Sequence, residues 1–152
     1  MLSSSLYHKG ATIYGVDSSQ KMLEIARENM PNGLFYRWDI SDDISELFKD
    51  ITFQYIISSY AVHHFAGDIK IEIVQSLLKC LNDNGKIMIA DISFRTEHDQ
   101  EICQSKYADR WDQTEHYMIA QNLIPLMEKI GVNVQYQRIS VCAGMLIVNK
   151  MN

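Results

Sequence analysis

The stretch from Thr12 to Met30, TIYGVDSSQKMLEIARENM, constrains the fold more than any other part of the chain. An apolar-rich run over residues 12–17 ends on the carboxylate of Asp17, and a helical pattern follows at once, with Ser18 as the candidate N-cap. Strand, acid at the strand tip, then helix is the order of a parallel α/β unit, whose ligands bind beyond the carboxyl ends of the strands. A carboxylate at that place can accept hydrogen bonds from both vicinal hydroxyls of a ribose, so an adenosine-type ligand is the expectation. Helix capping alone produces the same junction, and that plainer reading stands beside it.

The rest of the chain alternates between strand-like and helix-like periods, which points to an α/β fold. Residues 2–8 are too short to type and could be the end of a helix stopped by Gly10. Residues 19–29 form a helix with Met22, Leu23, Ala26 and Met30 on one face, broken by Pro31, Asn32 and Gly33. Residues 34–38 give a second strand ending at Asp39, and the acidic stretch after it has room for one helical turn. Residues 53–59 form a third strand, apolar on both faces as in an interior parallel strand. Residues 68–82 form an amphipathic helix with Ile69, Ile73, Val74, Leu77, Leu78 and Leu81 inward, stopped by Asn84 and Gly85. A fourth strand follows over 86–92, then helix over 97–111 and over 115–130, the latter interrupted at Pro125. Residues 133–140 and 143–149 are strands joined too tightly for a crossover helix, so they form an antiparallel hairpin.

A length of 152 residues suits a single domain with a real core. The net charge of −5 argues against a nucleic-acid backbone as the main partner, since phosphate binding needs clustered Lys and Arg. Cys80, Cys103 and Cys142 are odd in number and form no CxxC pair, which favours reduced thiols and a cytoplasmic location. No apolar run approaches the roughly 18 residues of a membrane span, and MLSSSLYHKG lacks the layout of a signal peptide.

Taken in order, these pieces resemble a class I S-adenosylmethionine-dependent methyltransferase over nearly the whole length. YGVDSSQKML resembles the family's second strand, ribose-binding acid and following helix. YRWDIS resembles its third strand and adenine-side acid, and QYIISSYAVHHF its fourth strand with the aromatic-His-His turn. LLKCLNDNGKIMIADISF resembles the next helix, Asn-Gly turn and strand. The resemblance implies a Rossmann-like sheet, mostly parallel, with a C-terminal antiparallel hairpin. Within the family the chain most resembles small bacterial enzymes with small-molecule substrates.

One departure stands out. The family opens with a first strand and a GxGxG turn whose backbone N–H groups cradle the methionine end of the cofactor. Here MLSSSLYHKG resembles the helix that follows that turn, so the first strand is missing. Either Met1 is not the natural start, or the chain is a truncated form with weakened cofactor binding. In the second case the sheet pairs its exposed edges directly or with another copy.

The resemblance assigns Asp17 to the ribose hydroxyls and Asp39 to the adenine amino group, with Ile40 supplying a backbone donor and apolar contact. It places Ser18 and Met22 at the adenine pocket, although Met22 fits the core equally well. Ser59 and Tyr60 fall where family members touch the cofactor near its sulfonium, and a tyrosine ring there would favour the positive sulfur. His63 and His64 invite a metal or acid–base role. Adjacent side chains point apart, though, and no third ligand stands at a recognised spacing. A structural hydrogen bond beneath the turn is the expectation for one of them, and no metal is expected. Asp91, near the tip of the fourth strand, is a candidate general base that Glu115, His116 and Tyr117 would join; an ordinary polar rim is the alternative.

The implied reaction is in-line displacement, an acceptor N, O, S or C atom attacking the sulfonium methyl of S-adenosylmethionine. Alignment and desolvation supply much of the acceleration, so no enzyme nucleophile is needed. The rival is a catalytically silent scaffold that self-associates through open strand edges. A nicotinamide-binding fold is a third reading, weakened by the terminal hairpin.

Overall fold

The structure, a computed structural model, describes residues 2–151, at Leu2 the backbone only. Met1, and with it the expectation about the natural start, lies outside the described residues. The chain divides into two compact units, residues 1–44 and 45–152.

The first unit holds helix α1 (Leu2–Tyr7), strand β1 (Tyr14–Asp17), helix α2 (Gln20–Asn29) and strand β2 (Leu34–Arg37). The end of α1 is closed by a left-handed Gly10 (φ 90°), with Gly10 N–H bonded to Tyr7 C=O at 2.9 Å and Ala11 N–H to Leu6 C=O at 3.1 Å. These are the two bonds of a glycine-closed helix C-terminus. β1 and β2 are parallel, Tyr14 opposite Leu34 and Asp17 opposite Arg37, with α2 as the crossover. Gly15 is required by packing: a Cβ there would stand 2.6 Å from the Phe35 ring. Leu23 carries the buried face of α2 and Met30 is buried at its C-cap, whereas Met22 is 44% exposed and does not belong to the core. Ser19, not Ser18, caps α2, its hydroxyl accepting from Met22 N–H. The one-residue shift arises because Asp17 takes the Ser19 N–H and turns the chain first.

The second unit is built on a sheet of order β3-β4-β7-β6. These strands are β3 (Phe53–Ser59), β4 (Leu81–Phe94), β6 (Val132–Arg138) and β7 (Ala143–Lys150). β3 and β4 run parallel, joined by helix α3 (Gly67–Lys79). β7 is antiparallel to both β4 and β6, so the expected hairpin forms. Helix α4 (Glu97–Lys106) starts with a reciprocal Thr96–Asp99 capping box. A short strand β5 (Met118–Ile119) extends the end of β4, and helix α5 (Ala120–Glu128) follows. Val74, Ile87, Ile89, Leu146 and Val148 form the center of the core. The mixed sheet with crossover helices is the α/β architecture that the residue pattern predicts.

Three expectations shift. α3 ends at Lys79 rather than near Asn84, because Leu81 pairs with Phe53 and enters the sheet. Leu81 is buried as the helical stripe requires, but from a strand. The late helix begins at Ala120, not at 115, since 118–119 join β4. β3 is less enclosed than an interior strand: Tyr55 is 58% exposed, and among the described residues β3 pairs only with β4. β1 likewise pairs only with β2 among those residues.

Candidate functional site

In the first unit, the parallel register places Asp17 and Asp39 at the same end of the sheet. Asp17 faces Arg37, Trp38 N–H bonds to Asp17 C=O at 3.2 Å, and Asp39 follows directly. Asp17 Oδ1 accepts from Ser19 N–H at 2.8 Å. Asp39 Oδ1 accepts from Ser41 N–H at 2.9 Å and from Ser41 Oγ at 2.7 Å. Those two bonds hold the Asp39 carboxyl below its usual range, the backbone bond first. On both acids the second carboxylate oxygen has no hydrogen-bond partner among the described residues. Ser18 sits beside them, its carbonyl held by Arg37 Nε at 3.2 Å. Met22 lies exposed on the first turn of α2, and Ile40 is half-buried after Asp39. The expected nucleoside residues of this unit thus occupy one rim. Trp38, which the sequence did not single out, adds a buried indole N–H without a hydrogen-bond partner among the described residues.

In the second unit, Ser59 ends β3, Tyr60 follows it, and both are exposed. Tyr60 has a left-handed backbone (φ 51°), a conformation uncommon outside glycine, while its N–H bonds to Ala90 C=O at 3.0 Å. That turn delivers the chain into a 3-10 turn, Val62–His64, seated on Asp91.

Asp91 is not a general base at the rim. It is 1% exposed, and its carboxylate is fully engaged. Oδ2 accepts from the N–H groups of Ala61, Val62 and His63 at 3.1, 2.8 and 3.3 Å. Oδ1 takes His63 Nδ1 at 2.6 Å and Ile92 N–H at 2.7 Å. A carboxylate so surrounded by donors is an anchor, and His63 makes the structural bond expected beneath the turn. His64 instead faces outward, its Nδ1 2.9 and 2.8 Å from the two oxygens of Glu115. His116 N–H bonds to His63 C=O at 2.7 Å, which ties the Glu115 segment to the same turn.

Beneath this cluster lies Lys70, 2% exposed, donating to Phe65 C=O and to His116 C=O, the latter at 2.6 Å. Burial pushes its ammonium down to about 8, opposed by the charges of Asp91 and Glu115. The sequence held a signal for it: Lys70 stands three and four residues before Ile73 and Val74, a cation inside an apolar stripe.

Next to the cluster, a cavity of about 350 Å³ is lined by Tyr107, Trp111, Tyr117, Arg110 and Ile92, with Cys103 and Cys142 in its wall. Tyr117 links the two regions. It stacks on His63 with centroids 6.5 Å apart and packs on Trp111 at 4.6 Å. Burial raises its phenol above the ordinary value. Cys103 and Cys142 are joined as a disulfide, Cα–Cα 5.8 Å, and Cys80 is a buried thiol outside it. The expectation of three reduced thiols is therefore corrected. Partners 39 residues apart carry no spacing signal; only the fold brings α4 to the β6–β7 turn.

A parallel sheet with crossover helices, acids at a strand rim and a terminal antiparallel hairpin define a Rossmann-like α/β protein. The chain belongs to the methyltransferase-domain family, which matches residues 2–131, and so to the class I S-adenosylmethionine-dependent methyltransferases. It is 28% identical to an uncharacterized methyltransferase of Bacillus cytotoxicus, over 91% of this chain and 68% of that one. It is 26% identical to one of Staphylococcus carnosus, over 98% and 73%. In fold it is similar to a protein of Pyrococcus horikoshii, with a TM-score of 0.77 at 19% identity over 99% of this chain and 76% of that one. It is likewise similar to the magnesium protoporphyrin IX methyltransferase of Synechocystis solved with bound SAH, with a TM-score of 0.70 at 14% identity over 99% and 69%. No helix among the described residues is long and apolar enough to cross a membrane.

Proposed function

We propose that this chain takes S-adenosylmethionine as cofactor and transfers its methyl group to a small-molecule acceptor. The observation that carries the proposal is the pair of acids at one rim of a parallel β–α–β unit, each with a carboxylate oxygen to offer. Those oxygens fit a nucleoside, whose ribose hydroxyls and adenine amino group are donors. Asp17 binds the ribose and Asp39 the adenine, with Ser18, Met22 and Ile40 flanking the base. The family resemblance also assigns Ser59 and Tyr60, at the end of β3, to cofactor contact. Relatives in fold solved with SAH support this choice of cofactor.

The cofactor supplies an electrophilic methyl on a sulfonium, and transfer from it needs alignment and exclusion of water rather than an enzyme nucleophile. The aromatic cavity of the second unit suits an acceptor of small size. Tyr107, Trp111 and Tyr117 offer it aromatic faces, and Arg110 favours an acceptor with a negative group.

Calorimetric titration with S-adenosylhomocysteine tests the cofactor assignment. Binding is expected in the wild-type chain, and Asp17→Ala is expected to weaken it about 100-fold, the loss of charge-assisted hydrogen bonds. Asp17→Asn, which retains an acceptor for Ser19 N–H, separates ligand binding from the turn that precedes α2. Equal affinity in wild type and both variants would overturn the assignment.

A second reading rests on the strand edges. β1 and β3 each have a single partner among the described residues, so each presents unpaired backbone groups. A folded chain that self-associates and binds no S-adenosylhomocysteine would be a scaffold rather than an enzyme.

A further inference from the structure

We propose that His63, His64 and Glu115 form a binding site for one divalent transition-metal ion of the zinc class. One ligand atom from each of the three residues lies within 4.8 Å of the others. The tight 3-10 turn overrides the rule that neighbouring side chains diverge, and the two rings meet with centroids 3.9 Å apart. Glu115 comes from 51 residues away and is fixed beside them by the His116 N–H bond to His63 C=O.

The surroundings of His63 are those of a metal-ligating histidine. Asp91, whose carboxylate accepts from four backbone N–H groups, also takes Nδ1 of His63, which turns Nε2 outward as the ligand atom. A buried carboxylate on the far nitrogen of a ligating imidazole fixes its tautomer and orientation and raises its basicity. The contact of His64 Nδ1 with both Glu115 oxygens marks where an ion would insert. Donors on a tetrahedral zinc stand roughly 3.3 Å apart, given bonds of about 2.0–2.1 Å. The His64–Glu115 pair needs to open by a few tenths of an ångström, and the more widely spaced pairs, all within 4.8 Å, need to close. His64, whose side chain is 55% exposed, is free to make that movement.

Two imidazoles and one carboxylate suit zinc and its neighbours better than magnesium or calcium, which prefer all-oxygen shells. Three protein ligands leave a position for water or a small molecule. Lys70 opposes the ion, yet its ammonium is held by the carbonyls of Phe65 and His116, and the two carboxylates outnumber it. The site lies wholly within the second unit, so it stands whether or not the cofactor assignment holds.

The test is titration of the chelator-stripped, disulfide-intact chain with zinc, and with cobalt(II) as a spectroscopic reporter. One ion per chain is expected, with visible cobalt bands of imidazole–carboxylate coordination. Glu115→Gln and His64→Ala are each expected to weaken binding at least about tenfold while circular dichroism stays unchanged. His98→Ala, which alters the exposed His98–Glu101 pair, is expected to bind as wild type does. No stoichiometric binding, equal affinity in both site variants, or loss of binding in His98→Ala would overturn the proposal.

Discussion

Asp91→Ala is expected to destabilise the second unit by about 4–6 kcal/mol, one of the largest effects that a single substitution gives. The methyl group leaves the N–H groups of Ala61, Val62 and His63 without their acceptor, and His63 Nδ1 loses its partner. Each buried donor left unpaired costs about 1–3 kcal/mol, more where the lost bond was to a charge. Water relieves part of this at Ala61, which is half-buried, but less at Val62 and His63. Urea unfolding monitored by the fluorescence of Trp111, the tryptophan of the second unit, in a Trp38→Phe background measures the loss. Asp91→Asn keeps one acceptor oxygen and is expected to fall between. A cost below about 1 kcal/mol would mean that the turn does not rest on this carboxylate.

The second large effect is a pH dependence that Lys70→Met removes. The Lys70 ammonium titrates at about 8 in the folded chain, against 10.5 when unperturbed, because burial disfavours its charge. Below pH 8 both folded and unfolded chains hold the proton, and the burial cost is carried in full. Between pH 8 and 10.5 the unfolded chain keeps the proton and the folded chain releases it. The stability contributed by this group therefore rises with pH, by about 3 kcal/mol over the whole interval. The difference in unfolding free energy between wild type and Lys70→Met, followed from pH 7 to 10.5, cancels the other titrating lysines and tyrosines. Parallel curves would contradict the assignment.

Elements with local signals were legible from sequence alone. β1, α2 and β2 follow from an apolar run, a helical stripe and a Pro-Asn-Gly break, and the register then places Asp17 and Asp39 together. The β6–β7 hairpin follows from a connection too short for anything else. What sequence missed depends on distant partners. Leu81 leaves its helix because Phe53, 28 residues earlier, offers a strand to pair with. Met118 and Ile119 leave theirs because the tip of β4 does the same. Asp91 reads as a base at a strand tip; only the fold shows that a turn 30 residues earlier has already occupied it. His63 and His64 show no ligand spacing because their third partner lies 51 residues later, in the segment leading to β5. Tyr60 carries no signal for its left-handed backbone, since an aromatic residue is not what such a turn ordinarily selects.

The thinness of the β1–β2 pair has a dynamic consequence. Four residues on each strand share few ladder bonds, and among the described residues of that unit only Leu23, Met30 and Ile44 are fully buried. Amide protons there should exchange with deuterium well before those of β4 and β7, whose strands lie over the deepest part of the core. A nucleoside gripping Asp17 and Asp39 would then act as a splint, slowing exchange across residues 14–37 without shifting the protection of the larger sheet.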